Sequence, residues 1–371
     1  MNIVHFIYNF SFGGIEKIVL DLAKEQSING YKVTIIVCST DGPMKAMFDQ
    51  AKIRIFSLDR KSGFSIVYRK KDLKCLKILR NADVIHVHTS NVYFFLLSAV
   101  SKTPILQTIH GGLAIGRKKT LKIRLKNQIN ILLTRCLVRH VSFVSNFFQE
   151  FYHAEFGISY QKKSSVIKNG IPSNPVTPEE EILKYQSKFK NKYIFGTVSR
   201  LVSEKRVDLL IRAVSHLPRD DGWILIIVGD GISRLDLENQ VRQHDLKNYV
   251  KFIGYSPHTL KWFAAMNLCV LPSKDEPFGI TALEAISQGT ETIALKDGGG
   301  LFEILNSISQ YLICNDEEEL ISIINKRYSE RQKKKPQNDT VPTKKLIEHS
   351  KKYLTADMAS AFETQYKKLI K

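Results

Sequence analysis

The 371-residue chain is short of several things, and each shortage removes a class of protein. Its five cysteines (Cys38, Cys75, Cys136, Cys269, Cys314) are odd in number and show no metal-type spacing. A disulfide framework is therefore not expected, and most of these thiols, set in apolar runs, should be buried and reduced in a cytosolic protein. Long hydrophobic runs are also missing: a stretch such as Val92 to Val100 is far too short to span a bilayer. The N-terminus opens directly into an apolar strand without a basic n-region or cleavage site. No secretory signal is expected, and the protein should stay on the cytoplasmic side. There is no Gly-x-Gly-x-x-Gly fingerprint, Walker loop, nucleophile elbow or Ser-His-Asp spacing, so a nicotinamide cofactor and a nucleophilic hydrolase are not supported.

Acidic residues are scarce in one place. None occurs between Asp83 and Glu150, a gap that holds Arg117, Lys118, Lys119, Lys122, Arg124, Lys126, Arg135 and Arg139. Net charge is +19, and up to Gly170 there are 26 basic against 10 acidic residues, whereas from Ile171 onward there are 29 against 26. The first half thus carries nearly all the excess, a field that attracts membranes, nucleic acid or a charged acceptor. Nucleic-acid binding is the runner-up function on charge alone. No RNA- or DNA-binding motif and no interleaved aromatics accompany the charge, so a nucleic-acid partner is not expected.

What is present is alternation. Strand patterns at Asn2–Tyr8, Lys32–Cys38, Ile53–Leu58, Val84–His88, Pro104–Ile109 and His140–Val144 are separated by helical ones, among them Ile15–Gln26, Tyr68–Leu79, Asn91–Val100 and Thr120–Leu137. Pro172, Pro175 and Pro178 mark a boundary near Ile171–Lys190, followed by a charged helix. A second series has strands at Tyr193–Val198, Trp223–Val228, Val250–Ile253, Leu268–Leu271 and Thr292–Leu295. The pattern predicts an α/β protein of two Rossmann-like domains facing each other across a cleft, with ligands outside the carboxyl ends of the strands. The boundaries expected are 1–170, 171–350 and a closing helix in 351–371, amphipathic through Met358, Phe362, Tyr366 and Leu369. Lys326–Lys345 reads as polar, basic and mobile.

The chemistry-bearing residues gather at strand-to-helix junctions. After the first strand stands Phe12-Gly13-Gly14-Ile15-Glu16, where glycines let the backbone approach a diphosphate and the next helix aims its amides at the charge. Arg200 and Lys205 close the first strand of the second half, a planar fork and a point charge suited to a diphosphate clamp. Val228-Gly229-Asp230-Gly231 is a tight turn after an apolar strand, and His110, in Ile109-His110-Gly111-Gly112, ends another strand. His86 and His88 alternate on a strand without obvious carboxylate or cysteine partners, so they do not predict zinc. The fullest stretch is Leu271 to Ala285: an apolar strand breaks into a charged loop, then a helix that carries Glu284.

Within it, Glu276-Pro277-Phe278-Gly279, with Glu284 completing a Glu-x7-Glu spacing inside Pro-Ser-x-x-Glu-Pro-Phe-Gly-x-x-x-x-Glu-Ala, resembles the signature of retaining glycosyltransferases of family 4. Further matches extend the resemblance over almost the whole chain. They are the Gly-Gly-x-Glu loop at Gly13–Glu16, Arg200-Leu201 through Lys205, Asn169-Gly170-Ile171, and Asp297-Gly298-Gly299-Gly300 with Glu303. The sequence departs from the family pattern where Ser199 and Arg206 stand in place of glycines, and where Glu291 replaces a proline.

The resemblance implies the GT-B fold, with the last helix crossing back onto the first domain. It also implies retaining, metal-independent transfer of a hexose from a nucleotide-diphosphate donor, a UDP-sugar. The acceptor would be a saccharide or lipid-linked sugar, in bacterial surface polysaccharide or lipopolysaccharide synthesis. No cofactor is implied, the nucleotide sugar being a substrate. Arg200, Lys205, Glu276 and His110 would be catalytic; Gly13, Gly14, Gly229, Phe278, Gly279, Ile280 and Glu284 would bind the donor, and Glu16 the acceptor. The basic first half would attach peripherally to an anionic membrane. An epimerase or phosphorylase on the same scaffold is the alternative within the fold.

Overall fold

Apolar β-branched runs bounded by glycine and polar turns set the frame. The structure, a computed structural model, describes residues 1–11, 13–60, 70–111, 121–157, 160, 163–173, 176–189, 192–333 and 340–371, with the side chain of Lys122 excepted. Phe12, Tyr68, Gly112, Arg117, Lys118, Lys119, Thr120, Pro175, Lys190 and Lys334–Pro336 of the stretches above lie outside them. By its contacts the chain divides into two units, Met1–Pro172 with Leu354–Lys371, and Ser173–Tyr353.

The first unit is built on a seven-stranded sheet: β1 (Asn2–Ile7), β2 (Lys32–Val37), β3 (Arg54–Ser57), β4 (Val84–Val87), β5 (Ile105–Ile109), β6 (His140–Phe143) and β7 (Ser164–Val166). The order is β3-β2-β1-β4-β5-β6-β7, all parallel. The second unit holds β8 (Tyr193–Val198), β9 (Trp223–Val228), β10 (Val250–Gly254), β11 (Leu268–Leu271), β12 (Thr292–Leu295) and β13 (Ile313–Cys314) in the order β10-β9-β8-β11-β12-β13, again parallel. Both sheets reverse direction of growth beside their first strand, which is the doubly wound pattern. Central strands such as β9 (Trp-Ile-Leu-Ile-Ile-Val) are buried along their whole length because helices cover both faces.

The closing helix spans Thr355–Ile370 and completes the first unit. Met358, Phe362 and Tyr366 recur every four residues and pack with Ile18 and Leu22 of the helix Gly14–Ile28 over Ile3, Val84 and Leu106 of the sheet. Each of these fully buried side chains contributes roughly 1.5–3 kcal/mol. Farther along the same strands the covered face changes character. Leu106 gives way to Thr108 and Ile3 to His5, and all are buried.

The expectation of a mobile stretch over Lys326–Lys345 is corrected at both of its ends. Lys326–Gln332 is not a loose basic stretch but the end of the helix Glu317–Gln332, held down by buried Arg327 and Tyr328. Arg327 donates to Glu291 from Nε (3.1 Å) and Nη2 (2.8 Å), so a buried ion pair stands at the position where the family pattern has a proline. Thr343–Lys345 likewise opens a helix, Thr343–Ser350. The thiols of Cys38, Cys75, Cys269 and Cys314 are buried and free, and Cys136 is exposed.

Candidate active site

In the second unit the residues singled out from the sequence meet at the carboxyl ends of β8, β9, β11 and β12. After β8 the chain makes a short turn of 3₁₀ helix over Ser203–Lys205, pinned by the buried Leu201, whose amide bonds Asp230 O at 2.9 Å. Lys205 Nζ donates to the carboxylate of Glu276, which sits on the loop after β11. Arg200, at the same strand end, is exposed, and its guanidinium pairs with no carboxylate among the described residues.

The next cation along the loop, Arg206, has φ 46° and ψ 39°, the left-handed region that explains why the family pattern carries glycine there. A non-glycine residue in that region costs of order 1 kcal/mol. Here the side chain offsets the cost: Nε donates to Pro272 O (2.7 Å), and Nη1 and Nη2 grip Asp297 at 3.1 and 2.5 Å. Arg206 therefore ties the loops after β8, β11 and β12 into one rim.

Between those loops the backbone is stitched edge to edge. Asp275 N bonds Asp297 O at 2.9 Å and Gly300 N bonds Glu276 O at 2.7 Å. Gly279, with φ 99°, turns the chain into the helix Ile280–Ser287, and a Cβ there would lie 2.6 Å from Leu301. No side chain caps the helix Ile280–Ser287, which leaves its first amides for an anion; at the next helix start Gly300 N and Leu301 N are already taken by Glu276 O and Gly298 O. Phe278 is buried and anchors the turn. Glu284, on the second turn, is buried, at 5% exposure. Gly229, after β9, has φ 129°, and a Cβ would come within 1.9 Å of Ser199 O, so only glycine fits beside the first loop.

The first unit places Gly13 as the cap of the helix Gly14–Ile28, with Glu16 in its first turn. Gly13 is extended (φ −163°), and the one atom a Cβ would crowd is Glu16 Oε2 at 2.4 Å, the tip of a side chain that can swing aside, so neither backbone nor space demands glycine there. Glu16 thus lies folded over its own turn. His110 follows β5, and its Nε2 hydrogen-bonds His88 Nδ1 at 3.0 Å. Burial pushes the His110 imidazole down to about 3, so it is neutral across physiological pH.

His86 and His88, which have no visible partner along the sequence, are partnered in space. His5 is paired in register with His86 across β1 and β4, and its Nδ1 meets His88 Nε2 at 2.9 Å. His5 is the residue that sequence reasoning missed. The signal was a histidine in an apolar strand at a position matching those of β4.

Comparison with known proteins follows the same division. The family model described as Glycosyltransferase Family 4 matches residues 12–174, and that described as Glycosyl transferases group 1 matches 178–340. The chain belongs to glycosyltransferase family 4. This glycosyltransferase is 29% identical over 314 residues to an uncharacterized glycosyltransferase of Methanocaldococcus jannaschii, covering 79% of each chain. It is 24% identical over 308 residues, 78% of each, to the UDP-Gal:alpha-D-GlcNAc-diphosphoundecaprenol alpha-1,3-galactosyltransferase of Escherichia coli. Among solved structures, Anabaena HepE in complex with UDP and glucose superposes with a TM-score of 0.84 at 20% identity, over the whole of both chains. WaaG, a glycosyltransferase involved in lipopolysaccharide biosynthesis, gives 0.70 at 16% identity, covering 99% of both. These likenesses establish the glycosyltransferase's GT-B fold.

Proposed function

We propose that this glycosyltransferase moves a hexose from a UDP-sugar to a saccharide or lipid-linked acceptor, with retention at the anomeric carbon and without a metal. The observation that carries the reading is the cluster on the second unit: exposed Arg200, Lys205 on the same loop, and the start of the helix Ile280–Ser287, whose amides no side chain caps. Together they offer two cations and a set of oriented dipoles to a diphosphate, which is what a departing nucleoside diphosphate needs as charge builds on it. Arg200 and Lys205 would each contribute roughly 1.5–3 kcal/mol through charge-assisted hydrogen bonds. The leaving phosphate itself would then take the acceptor's proton.

Lys205 and Glu276 neutralise each other before the donor arrives. A diphosphate, the stronger anion, would draw Lys205 away and leave the Glu276 carboxylate to accept hydrogen bonds from sugar hydroxyls. Glu284 is assigned to the ribose, the Gly229 loop to the base, the amides of Phe278, Gly279 and Ile280 and the Gly13-Gly14 turn to the diphosphate, His110 to the sugar, and Glu16 to the acceptor. The UDP specificity is supported by the E. coli relative, named for UDP-galactose, and by the UDP bound in HepE. A thermal-shift panel of nucleotide sugars tests the donor: a UDP-hexose should raise Tm most. No stabilisation by any nucleotide sugar would refute the reading, and an inverted product would refute retention.

A lipid-linked acceptor suits a second feature. The helix Leu121–Leu137 buries Asn127, Asn130 and Thr134 and exposes Leu121, Leu125, Ile129 and Leu132, with Arg124 and Lys126 on its open side. An apolar stripe flanked by cations fits the interface of an anionic bilayer. No helix among the described residues is long and apolar enough to cross one. Flotation with anionic vesicles should carry the protein upward, and failure to float would remove the membrane from the proposal.

A further inference from the structure

The buried imidazoles of the first unit form a directed chain. Gln26 Oε1 lies 2.7 Å from His5 Nε2, His5 Nδ1 is 2.9 Å from His88 Nε2, and His88 Nδ1 is 3.0 Å from His110 Nε2. The chain ends at His110 Nδ1, a buried nitrogen with no partner among the described residues. His86 stands beside it on a branch of its own, bonded to Tyr366 Oη (2.6 Å) and Thr108 Oγ1 (2.7 Å). Every ring nitrogen of His5, His86 and His88 is therefore engaged. These three rings are close enough to hold a metal ion, but their lone pairs and protons are already spent on one another and on Gln26, Tyr366 and Thr108.

The chain has a direction because its far end does. The amide oxygen of Gln26 can only accept, so His5 must carry its proton on Nε2. A neutral ring then has a bare Nδ1, which accepts from His88 Nε2–H, and the same logic passes through His88 to His110. Desolvation keeps the rings neutral: burial pushes His5 to about 4 and His88 well below the ordinary histidine value.

We propose that Gln26, His5 and His88 are positioning residues that fix His110 as its Nε2–H tautomer, leaving Nδ1 as a permanent acceptor for a hydroxyl group of the sugar. The sugar contact rests on the donor reading above; the tautomer does not. A site so arranged favours a ligand that donates a hydrogen bond at that point and disfavours one that offers only an acceptor, such as a carboxylate or a carbonyl oxygen. Glutamine suits the anchor because Nε2 faces Tyr366 Oη at 3.4 Å while Oε1 faces His5, so the closing helix helps to hold the amide the right way round.

The test is nitrogen NMR of the full-length protein labelled with ¹⁵N-histidine, each ring assigned by its loss in a single-residue variant. His110 should show a protonated Nε2 and an unprotonated Nδ1. In Gln26→Leu the anchor is gone and His110 should become a mixture of tautomers, with kcat/KM for the donor falling about five- to tenfold, the worth of one neutral hydrogen bond. Gln26→Glu keeps an acceptor and should restore both the tautomer and the rate. A protonated Nδ1 in the wild-type protein, or an unchanged tautomer in Gln26→Leu, would overturn the proposal. The wild-type spectrum decides alone if Gln26→Leu does not fold. If the tautomer is as stated but no nucleotide sugar moves the His110 Nδ1 signal, the relay stands and the assignment of His110 to the donor falls.

Discussion

The two units share one strand order and use it differently. In the second, the central strands are mostly apolar and the candidate-site charges stand on the loops, where Lys205, Glu276, Arg206 and Asp297 pair across strand ends. In the first, polar groups enter the sheet itself: four histidines and a threonine replace aliphatic side chains toward the carboxyl ends of β1, β4 and β5. The lesson is that a doubly wound sheet can position a functional group either by a rim of ion pairs or by a buried relay. The two devices should respond to different perturbations. Charges on a rim are half-solvated and adaptable, whereas neutral imidazoles in a core tolerate no proton.

Acid separates the two units most strongly. A histidine whose folded value is lowered contributes stability that is complete above the unfolded value near 6.5 and is lost as pH falls toward the folded value. For His5 and His110, lowered to about 4 and about 3, the loss by pH 5 is ~4 kcal/mol together, on the rule of about 1.4 kcal/mol per pH unit for each group. Both tryptophans, Trp223 and Trp262, belong to the second unit. Between pH 7 and pH 5 the urea transition seen by circular dichroism should acquire an early phase that tryptophan fluorescence does not see. Superimposable transitions at both pH values would erase the contrast.

A cut of similar size can be made in the other unit. Arg327→Leu leaves Glu291 buried and unpaired, at a cost of about 3–5 kcal/mol, and should lower the fluorescence-detected midpoint in urea. An unchanged midpoint would mean that the pair is not structural. Lys205→Ala should lower sugar transfer at least tenfold, about 1.4 kcal/mol, with the circular-dichroism spectrum and Tm preserved. Turnover near that of the wild type would disconnect the rim from catalysis. The smallest effect belongs to Arg206→Gly, which relieves the left-handed backbone but gives up the grip on Asp297; the two terms oppose, and stability should move by no more than about 1 kcal/mol.

Much of this was written in the sequence. Alternating apolar runs and turn residues give eleven of the thirteen strands among the described residues, and the two not anticipated, β7 with Ser164 and Ser165 and β13 with two residues, are short edge strands without a hydrophobic period of their own. The stretch Pro272–Glu284 marked its own loop and helix because glycine and proline punctuate it. Pairings between distant segments were not legible. Nothing local to Lys205 points to Glu276, 71 residues away, and nothing local to His5 points to His88. The basic run at Lys326–Lys333 misled because charge along a line says little about which side chain turns inward, and Arg327 does.

The helix Thr355–Ile370 gives the protein an order of manufacture. The first unit is begun by β1 and finished by Thr355–Ile370, with the whole of the second unit between them, because Met358, Phe362 and Tyr366 roof the sheet that Ile3 and Leu106 floor. While synthesis continues, the second unit has all its strands in hand and the first still waits with an open seam above His86. Removing the helix Thr355–Ile370 would leave that seam unroofed and the histidines wet.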